Sequence, residues 1–341
     1  SSKILKIKYT KLVKMLKKLY IYLISFVLAF KQPIPFAEPN LPKNKIHKVQ
    51  IPGNQDVAVW WNKKSKEWNA VHDVCPHRQA SLSEGLVNPF TNNIKCKYHG
   101  IEFNGCGECT MIPSSTFKPS TFSVKNYFVK EKYDLLWIDD KDTDIIIDIL
   151  EKPHSKLPWF ISSAESDYKS LIENSLDGAH FNQVHHGIAG LNRYKSLGLY
   201  NKSKTNWFNS TGFSCTIETT NTNIPKTEFI FFAPYNTQVK ILPNASIFAI
   251  TYPIDKNNLK LVSNMIIENK KQYLDFFFKI LKPLIRISGK EVFRQDIEII
   301  NSQKQNVYNH GINYKSISKS DIPVTLYNKW LDKYGNESIV I

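Results

Sequence analysis

Two groups of residues with metal-binding side chains follow one another along this 341-residue chain. The first group combines a Cys-x-His hook with a Cys-x-x-His hook and consists of Cys75, His77, Cys96 and His99. Two thiolates and two imidazoles can hold one zinc ion tetrahedrally. They can also hold a [2Fe–2S] cluster in which one iron takes both cysteines and the other both histidines. Spacing alone leaves both possibilities open.

The residues around these hooks favour the cluster. Turn-forming or permissive residues follow each hook, namely Pro76, Gly100, Gly105 and Gly107. Short segments with the alternation of antiparallel strands surround them, at 47–51, 57–61, 68–74 and 135–139. We therefore predict a small antiparallel β-sandwich that presents both hooks to one cluster.

The second group has the pattern Asn174-x-x-Asp177-x-x-His180-x-x-x-x-His185. An iron that activates dioxygen needs two neutral imidazoles and one carboxylate on one face, with open positions beside them. On an unbroken helix, side chains five residues apart point about 140° away from each other. We therefore expect the helix to break or bulge here. The residues that permit this are Gly178, Asn182 and Gln183.

The sequence around both groups resembles the Rieske oxygenase family. The matching segments are CPHRQASLSEG, CKYHG, EFNGCGECTMIP and NSLDGAHFNQVHHGIAGLNR. They are most similar to the plastid branch that contains pheophorbide a oxygenase, chlorophyllide a oxygenase and the Rieske subunit of the inner-envelope import translocon. That branch usually has tryptophan after the second His-Gly, whereas this chain has Ile101.

The resemblance implies which residues bind each cofactor. The [2Fe–2S] cluster would be ligated by Cys75, His77, Cys96 and His99. A mononuclear Fe(II) would be bound by His180, His185 and a carboxylate from far downstream, for which the candidates are Glu291, Asp296 and Glu298. The family pattern of Gln-Asp, an apolar stretch and another Gln fits Gln295-Asp296 with Gln303, and we therefore choose Asp296.

Two other residues of the second group have catalytic roles by resemblance. Asp177 would connect a cluster-ligand histidine of one subunit to an iron-ligand histidine of the next, and Asn174 belongs to the same motif. A carboxylate that accepts an imidazole N–H fixes the tautomer of the ring. Electron transfer between subunits implies a ring of identical chains, a homotrimer in the family. His186 would be a neighbour of the ligands, either donating to them or simply packed.

Composition divides the chain into three parts, and the resemblance implies that the fold of its body is α+β. A basic and apolar leader over 1–40 precedes an all-β Rieske domain over 41–148. A catalytic domain over 149–341 would have the helix-grip fold, a curved antiparallel sheet with helices.

Within the catalytic domain, we expect strands at 225–233 and 246–252. The end of the chain, over 324–337, resembles the terminal helix of the plastid branch. The stretch 271–305 is long, periodic and rich in phenylalanine, and we expect it to be broken at Pro283 and Gly289.

The leader predicts targeting or membrane association. Residues 1–37 contain eight lysines and no acidic residue, and 19–30 is an apolar run. A membrane span needs roughly 20 apolar residues, so this run favours a targeting segment, an interfacial helix or a helix packed on the body. We expect a plastid or plastid-envelope location, with another membrane-associated compartment as the alternative.

Charge and cysteine content limit the partners. The formal net charge is +15, but no dense stripe of basic and aromatic residues occurs, so we expect no nucleic-acid partner. A mildly basic body suits an acidic electron donor, a ferredoxin or a reductase. An iron–sulfur centre fits a reducing compartment. Cys106-x-x-Cys109 has the spacing of a redox pair, but its Gly-rich surroundings favour reduced turn residues.

These features predict an oxidoreductase that uses electrons and dioxygen to oxygenate an apolar small molecule, with a chlorophyll-derived tetrapyrrole as the leading substrate. One alternative is an oxygenase or desaturase of another apolar molecule, such as a sterol. Another is a redox-sensing, import-associated subunit with little turnover. A bare electron carrier is disfavoured because it would not need the second group of ligands.

Overall fold

The computed structural model describes residues 34–36, 41–113, 115, 122–188, 200–221, 225–268, 272–312 and 318–338. The apolar run at 19–30, and with it most of the predicted leader, lies outside these residues. Within the described ranges, no helix is both long enough and apolar enough to cross a bilayer.

Ten antiparallel strands form the first domain. They are β1 (Ile34–Phe36), β2 (His47–Ile51), β3 (Gln55–Asn62), β4 (Glu67–His72), β5 (Leu86–Val87), β6 (Ile94–Lys95), β7 (Glu102–Phe103), β8 (Cys109–Met111), β9 (Asn126–Lys132) and β10 (Leu135–Asp139). One sheet has the order β1-β10-β9-β4-β3-β2, and a smaller sheet has the order β5-β6-β7-β8. The four strands predicted from alternation are present, and the domain is a β-sandwich as expected.

Strand β3 explains how this sandwich is filled. Its central residues are buried on both faces: Val57 and Val59 pack in one core, while Ala58 and Trp60 pack in another. The second core also contains Cys75 and Cys96, together with residues of β6 and β7. The two cysteines are therefore fixed between the two sheets.

Strand β1 falls within the segment predicted to be the leader, yet it belongs to the larger sheet. Its residues pair antiparallel with β10, with Ile34 opposite Ile138 and Phe36 opposite Leu136. A domain boundary at residue 41 therefore leaves out an edge strand of this sheet.

The second domain is an antiparallel sheet packed against helices. Its strands are β11 (His154–Lys156), β12 (Phe160–Glu165), β13 (Tyr200–Asn209), β14 (Gly212–Thr219), β15 (Thr227–Phe232), β16 (Asn236–Leu242), β17 (Ala245–Pro253) and β18 (Asn258–Glu268). The sheet order is β11-β18-β17-β16-β15-β14-β13, and β12 also pairs with β18. Irregular registers in β13 and β16 are of the kind that bends a sheet. The predicted α+β class is confirmed.

Five α-helices complete the described fold. They are α1 (Asp148–Glu151), α2 (Tyr168–Leu176), α3 (Phe181–Val184), α4 (Gln272–His310) and α5 (Ile322–Ser338). The terminal helix α5 packs on β14 and buries Tyr327 and Trp330. Trp330 donates its indole N–H to the carbonyl of Asn209 at 3.0 Å.

Helix α4 corrects one prediction, because it continues through both positions where we expected breaks. Pro283 lies in its exposed first half, where water can satisfy the backbone carbonyl that proline leaves without a donor. Gly289 allows a close approach to the sheet, since an added Cβ would lie 3.0 Å from the ring of Phe160. Both residues are thus compatible with one helix over 272–310.

Candidate metal centres

The two cysteine–histidine hooks form loops with the same backbone frame. In the first loop, the N–H of Cys75 donates to Ala80 at 2.9 Å and the N–H of Gln79 donates to Cys75 at 2.8 Å. In the second, Cys96 donates to Ile101 at 2.8 Å and Gly100 donates to Cys96 at 3.0 Å. Gln79 and Gly100 occupy the same position and both have positive φ, +59° and +71°.

The donors of this site differ sharply in burial. Cys75 and Cys96 are 1% and 2% exposed, whereas His77 and His99 lie at the surface with their ring centroids 4.4 Å apart. Burial, more than the neighbouring Cys96, raises the pKa of the Cys75 thiol to about 11. This division into two inner thiols and two outer imidazoles fits a cluster with one cysteine-bound iron and one histidine-bound iron.

Ile101, which replaces the expected tryptophan, lies directly behind the second hook. Its side chain is 3% exposed and packs in the same core as Cys75 and Cys96. The smaller residue therefore still fills an apolar position next to the cluster ligands.

The helix carrying the second motif breaks before the first histidine. Helix α2 ends at Leu176, Asp177 is extended, and the single turn of α3 begins after His180. Gly178 permits this path, because an added Cβ would lie 2.8 Å from the ring of Phe229 on β15. The break was predicted, but Asn182 and Gln183, two of the residues expected to permit it, lie inside the helical turn of α3.

His180 and His185 flank this turn and converge on Asp296 of α4. The Nε2 atoms of His180 and His185 lie 3.5 Å and 3.2 Å from Oδ1 of Asp296. All three donor atoms lie within 4.8 Å of one another. Asp296 reaches the site because Phe293, Asp296 and Ile300 form the buried face of α4.

The opposite ring nitrogens are held by hydrogen bonds. Nδ1 of His185 lies 3.0 Å from Oε1 of Gln295, and Nδ1 of His180 contacts the backbone carbonyl of Asp177. Because both partners are acceptors, each ring carries its proton on Nδ1, and the Nε2 lone pairs face Asp296. Nε2 of His185 and Oδ1 of Asp296 are buried without a hydrogen bond. Two buried atoms that lie close together and lack a hydrogen-bond partner are what a metal-binding site requires.

The electrostatics of the three residues agree with this geometry. Burial alone would raise the pKa of Asp296, but His180 and His185 outweigh it and hold that pKa below its usual value. Burial would lower the pKa of His185, but Asp296 and Gln295 raise it. Without a metal, Asp296 stabilises a second proton, on Nε2 of His185, and a divalent cation would take the place of that proton.

The other candidate carboxylates lie away from this point. Glu298 is exposed and pairs with Arg294, which also binds Glu291. Glu291 in turn accepts a hydrogen bond from Nε2 of Gln295 at 3.1 Å. The structure therefore brings Asp296, and neither glutamate, to the two histidines.

The remaining predicted residues lie close to the group without joining it. Asn174 is in the last turn of α2, and its carbonyl accepts the N–H of Asp177 at 3.1 Å. The Asp177 carboxylate accepts the N–H of Ala179 at 2.9 Å. Within one chain, the backbone carbonyl of Asp177 contacts Nδ1 of His180. The predicted bridge by its carboxylate joins two subunits and stays a prediction. His186 is exposed.

Two residues of the site were not assigned a role from the sequence. The sequence indicates Gln295 only as part of the Gln-Asp pattern, and its contact with His185 spans 110 positions of the chain. Phe181 stacks on His180 with ring centroids 4.6 Å apart and 22° between the planes. Its place directly after a predicted ligand was the one available signal.

Comparisons with known proteins agree with both halves of the molecule. Residues 34–127 match the model of the Rieske [2Fe-2S] domain. The fold resembles the crystal structure of dicamba monooxygenase bound to dicamba, with a TM-score of 0.68 and 15% identity over 91% of this chain and 98% of that one.

Curated relatives match with moderate identity. Flavonoid 8-hydroxylase 2, chloroplastic, from Ocimum basilicum is 25% identical over 88% of this chain and 64% of that protein. Pheophorbide a oxygenase, chloroplastic, from Arabidopsis thaliana is 29% identical over 60% of this chain and 39% of that protein. The chain thus spans less than two thirds of either relative.

Residues 34–127 are therefore a Rieske [2Fe-2S] domain, and the two-domain fold is of the class found in the Rieske oxygenases. Within that class, plastid proteins are among its relatives, as the sequence segments predicted. The match to the Rieske domain also confirms the prediction of a [2Fe–2S] cofactor.

Proposed function

We propose that this protein is a Rieske non-haem iron oxygenase that uses electrons from a ferredoxin or reductase. The observation that carries the proposal is the buried group of His180, His185 and Asp296, in the same chain as a Rieske domain. A protein that only carried electrons would have no use for it.

The residues of the chain have separate tasks in this proposal. Cys75, His77, Cys96 and His99 hold the cluster, and His180, His185 and Asp296 hold a mononuclear iron. When bound, the cluster supplies single electrons and the iron supplies the place where dioxygen is activated. Gln295 and the Asp177 carbonyl keep the two imidazoles in the tautomer that binds a metal through Nε2.

The substrate we propose is a large apolar ring molecule, with a chlorophyll-derived tetrapyrrole first. The relationship to pheophorbide a oxygenase supports this choice. A smaller aromatic substrate is the second candidate, because a flavonoid hydroxylase is among the relatives and matches 88% of this chain. These relatives also support a plastid location.

The test is incorporation of isotope-labelled dioxygen by the full chain loaded with iron and sulfide. Pheophorbide a, a flavonoid and a sterol would be offered with ferredoxin and its reductase, and products weighed by mass spectrometry. Labelled product from the tetrapyrrole supports the leading proposal, and labelled flavonoid would replace it with the second candidate. If no compound gains label although both metal centres are fully loaded, the oxygenase proposal is wrong and the import-associated alternative gains support.

We also propose that the electron passes between subunits, through Asp177 of one chain and the cluster of its neighbour, in a homotrimer. Support comes from the surface position of His77 and His99, whose rings are open to a neighbouring molecule in the single chain. Chains lacking the cluster (Cys75→Ala), co-assembled with chains lacking iron (His180→Ala), should recover part of the activity. Assemblies that contain both kinds of chain and remain inactive would contradict the route.

A further inference from the structure

The first half of α4 carries a row of exposed apolar side chains. Phe276, Phe277, Ile280, Leu284 and Ile287 are between 54% and 67% exposed, and we call them the α4 apolar stripe. Their spacing of three and four residues places them on one face of the helix. The stripe is separate from the face that contacts the sheet, where Gly289 meets Phe160.

Four basic residues run beside the stripe at the same helical spacing. They are Lys279, Lys282, Arg286 and Lys290, and no acidic residue occurs between positions 276 and 290. Three of them are exposed and Lys282 is half-buried. Among the described residues, none of the four is joined to a carboxylate by an ion pair.

The pattern changes abruptly in the second half of the same helix. From Glu291 onward the exposed positions carry both signs of charge, with Arg294 held between Glu291 and Glu298. Some apolar residues there face inward, as with Phe293 and Ile300, and those that are exposed, Ile299 and Tyr308, are nine residues apart and form no continuous row. An ordinary solvated helix surface is thus present on α4, and the α4 apolar stripe departs from it.

The basic residues beside the α4 apolar stripe indicate which partner can cover it. The predicted leader is apolar at 19–30 but contains eight lysines and no acid over 1–37, so it would bring positive charge against positive charge. A second copy of the stripe would do the same. A different face of a neighbouring chain in the proposed trimer would also belong to a basic body, since residues 38–341 carry a formal charge of +7. Anionic lipid headgroups offer the opposite sign, and the acyl region beneath them accepts phenylalanine and isoleucine.

We infer that the α4 apolar stripe docks on the surface of an anionic lipid bilayer, with the first half of α4 lying in the plane of the interface. This site differs from the leader, for which membrane association was expected from sequence. It also does not depend on the proposed substrate, since it rests on exposure and charge alone. Asp296 follows Ile287 by about 14 Å along the helix, so the bilayer would lie close to the metal site.

The test is flotation of the full chain with vesicles of phosphatidylcholine, alone or mixed with phosphatidylglycerol. Ile280→Gln combined with Leu284→Gln should lower binding to the anionic vesicles about tenfold or more, and so should Lys279→Glu combined with Arg286→Glu. Ile299→Gln is the matched control, because Ile299 is 42% exposed on the same helix but lies outside the stripe. It should bind like the unchanged chain.

Each variant would also be made in a chain whose apolar run at 19–30 is replaced by serines. This second background distinguishes vesicle binding by the leader from vesicle binding by the α4 apolar stripe. Loss of binding from the stripe variants in both backgrounds supports the inference. If they bind as tightly as the control in both backgrounds, the inference is wrong. If instead the stripe variants reduce the molecular mass measured by light scattering and leave vesicle binding intact, a second copy covers the stripe and the lipid inference is overturned. Cluster absorbance confirms that each variant is folded.

Discussion

At the residue scale, the candidate iron site depends on which nitrogen of each histidine carries a proton. Gln295 accepts from Nδ1 of His185, and the main chain at Asp177 accepts from Nδ1 of His180. The two histidines are therefore fixed by different means, one by a side chain that can be mutated and one by the backbone. Because only Gln295 is a side chain, a substitution there can measure its contribution to iron binding.

We expect Gln295→Leu to weaken iron binding about 10-fold to 100-fold while the fold and the cluster persist, because the imidazole of His185 loses the acceptor that orients it. Iron titration monitored by the metal content of the protein after desalting is the measurement. Gln305→Leu, an exposed change on the same helix, is the control. Equal iron affinity in both variants would show that Gln295 has no such role.

The choice of third ligand can be tested with neighbouring carboxylates. We expect Asp296→Ala to abolish mononuclear iron binding and to retain the cluster spectrum, because it removes a buried oxygen 3.2 Å from Nε2 of His185. Glu298→Ala should keep the iron, because this exposed side chain pairs with Arg294. Iron analysis of the two purified proteins distinguishes them. The reverse result would mean that Glu298 is the ligand.

The ligand set was open to prediction from sequence because thiols, imidazoles and carboxylates are the side chains that iron centres use. The role of Gln295 was not, because an amide has many functions and its partner is distant in the chain. The same reason applies to the main-chain contact at Asp177, since backbone carbonyls carry no sequence signal.

At the scale of elements, the path from α2 to α3 decides whether the two histidines converge. Gly178 lies against Phe229, and the chain turns there from one helix into the next. A side chain at position 178 would push this segment away from β15. The sheet is therefore part of what positions His180.

We expect Gly178→Ala to destabilise the protein by about 1–3 kcal/mol and to weaken iron binding, since a Cβ at 2.8 Å from the Phe229 ring cannot be accommodated without movement. Thermal unfolding and iron content are the measurements. Adding Phe229→Leu should restore part of both, because it removes the ring. No rescue by the second change would contradict this steric explanation.

The strands that were predicted correctly are those whose burial leaves a recognisable apolar pattern in the sequence. Strands β2, β3, β4 and β10 were found because one or both faces are buried, which produces alternating or continuous apolar runs. The continuity of α4 was missed because Pro283 and Gly289 usually interrupt helices. Here one faces water and the other meets Phe160, and neither circumstance is visible in the sequence.

At the scale of the whole molecule, the two domains share a buried core. Leu135 and Trp137 of the first domain pack with Trp159, Phe248 and other residues of the second. The indole of Trp159 donates to the carbonyl of Tyr133 at 2.7 Å. The domains are therefore not independent bodies joined by a linker, which the sequence boundary near residue 149 alone did not indicate.

We expect Trp159→Ala to destabilise both domains together, by about 3–5 kcal/mol, because it empties this shared core. Denaturation followed in parallel by cluster absorbance and by far-ultraviolet circular dichroism should give one shifted transition. Trp61→Ala, at a half-buried position within the first domain, should have a smaller effect. Separate transitions for the two signals would show that the domains unfold independently.

The shared frame of the two cluster loops has a consequence for how such proteins are recognised. Each loop spans six residues closed by the same pair of backbone bonds, yet the histidine is third in one and fourth in the other. Loop closure and ligand placement are therefore separate properties. A search that demands fixed cysteine-to-histidine intervals would overlook homologues in which the imidazole has moved by one place. A search for the closing bonds and the positive-φ fifth residue would recover them.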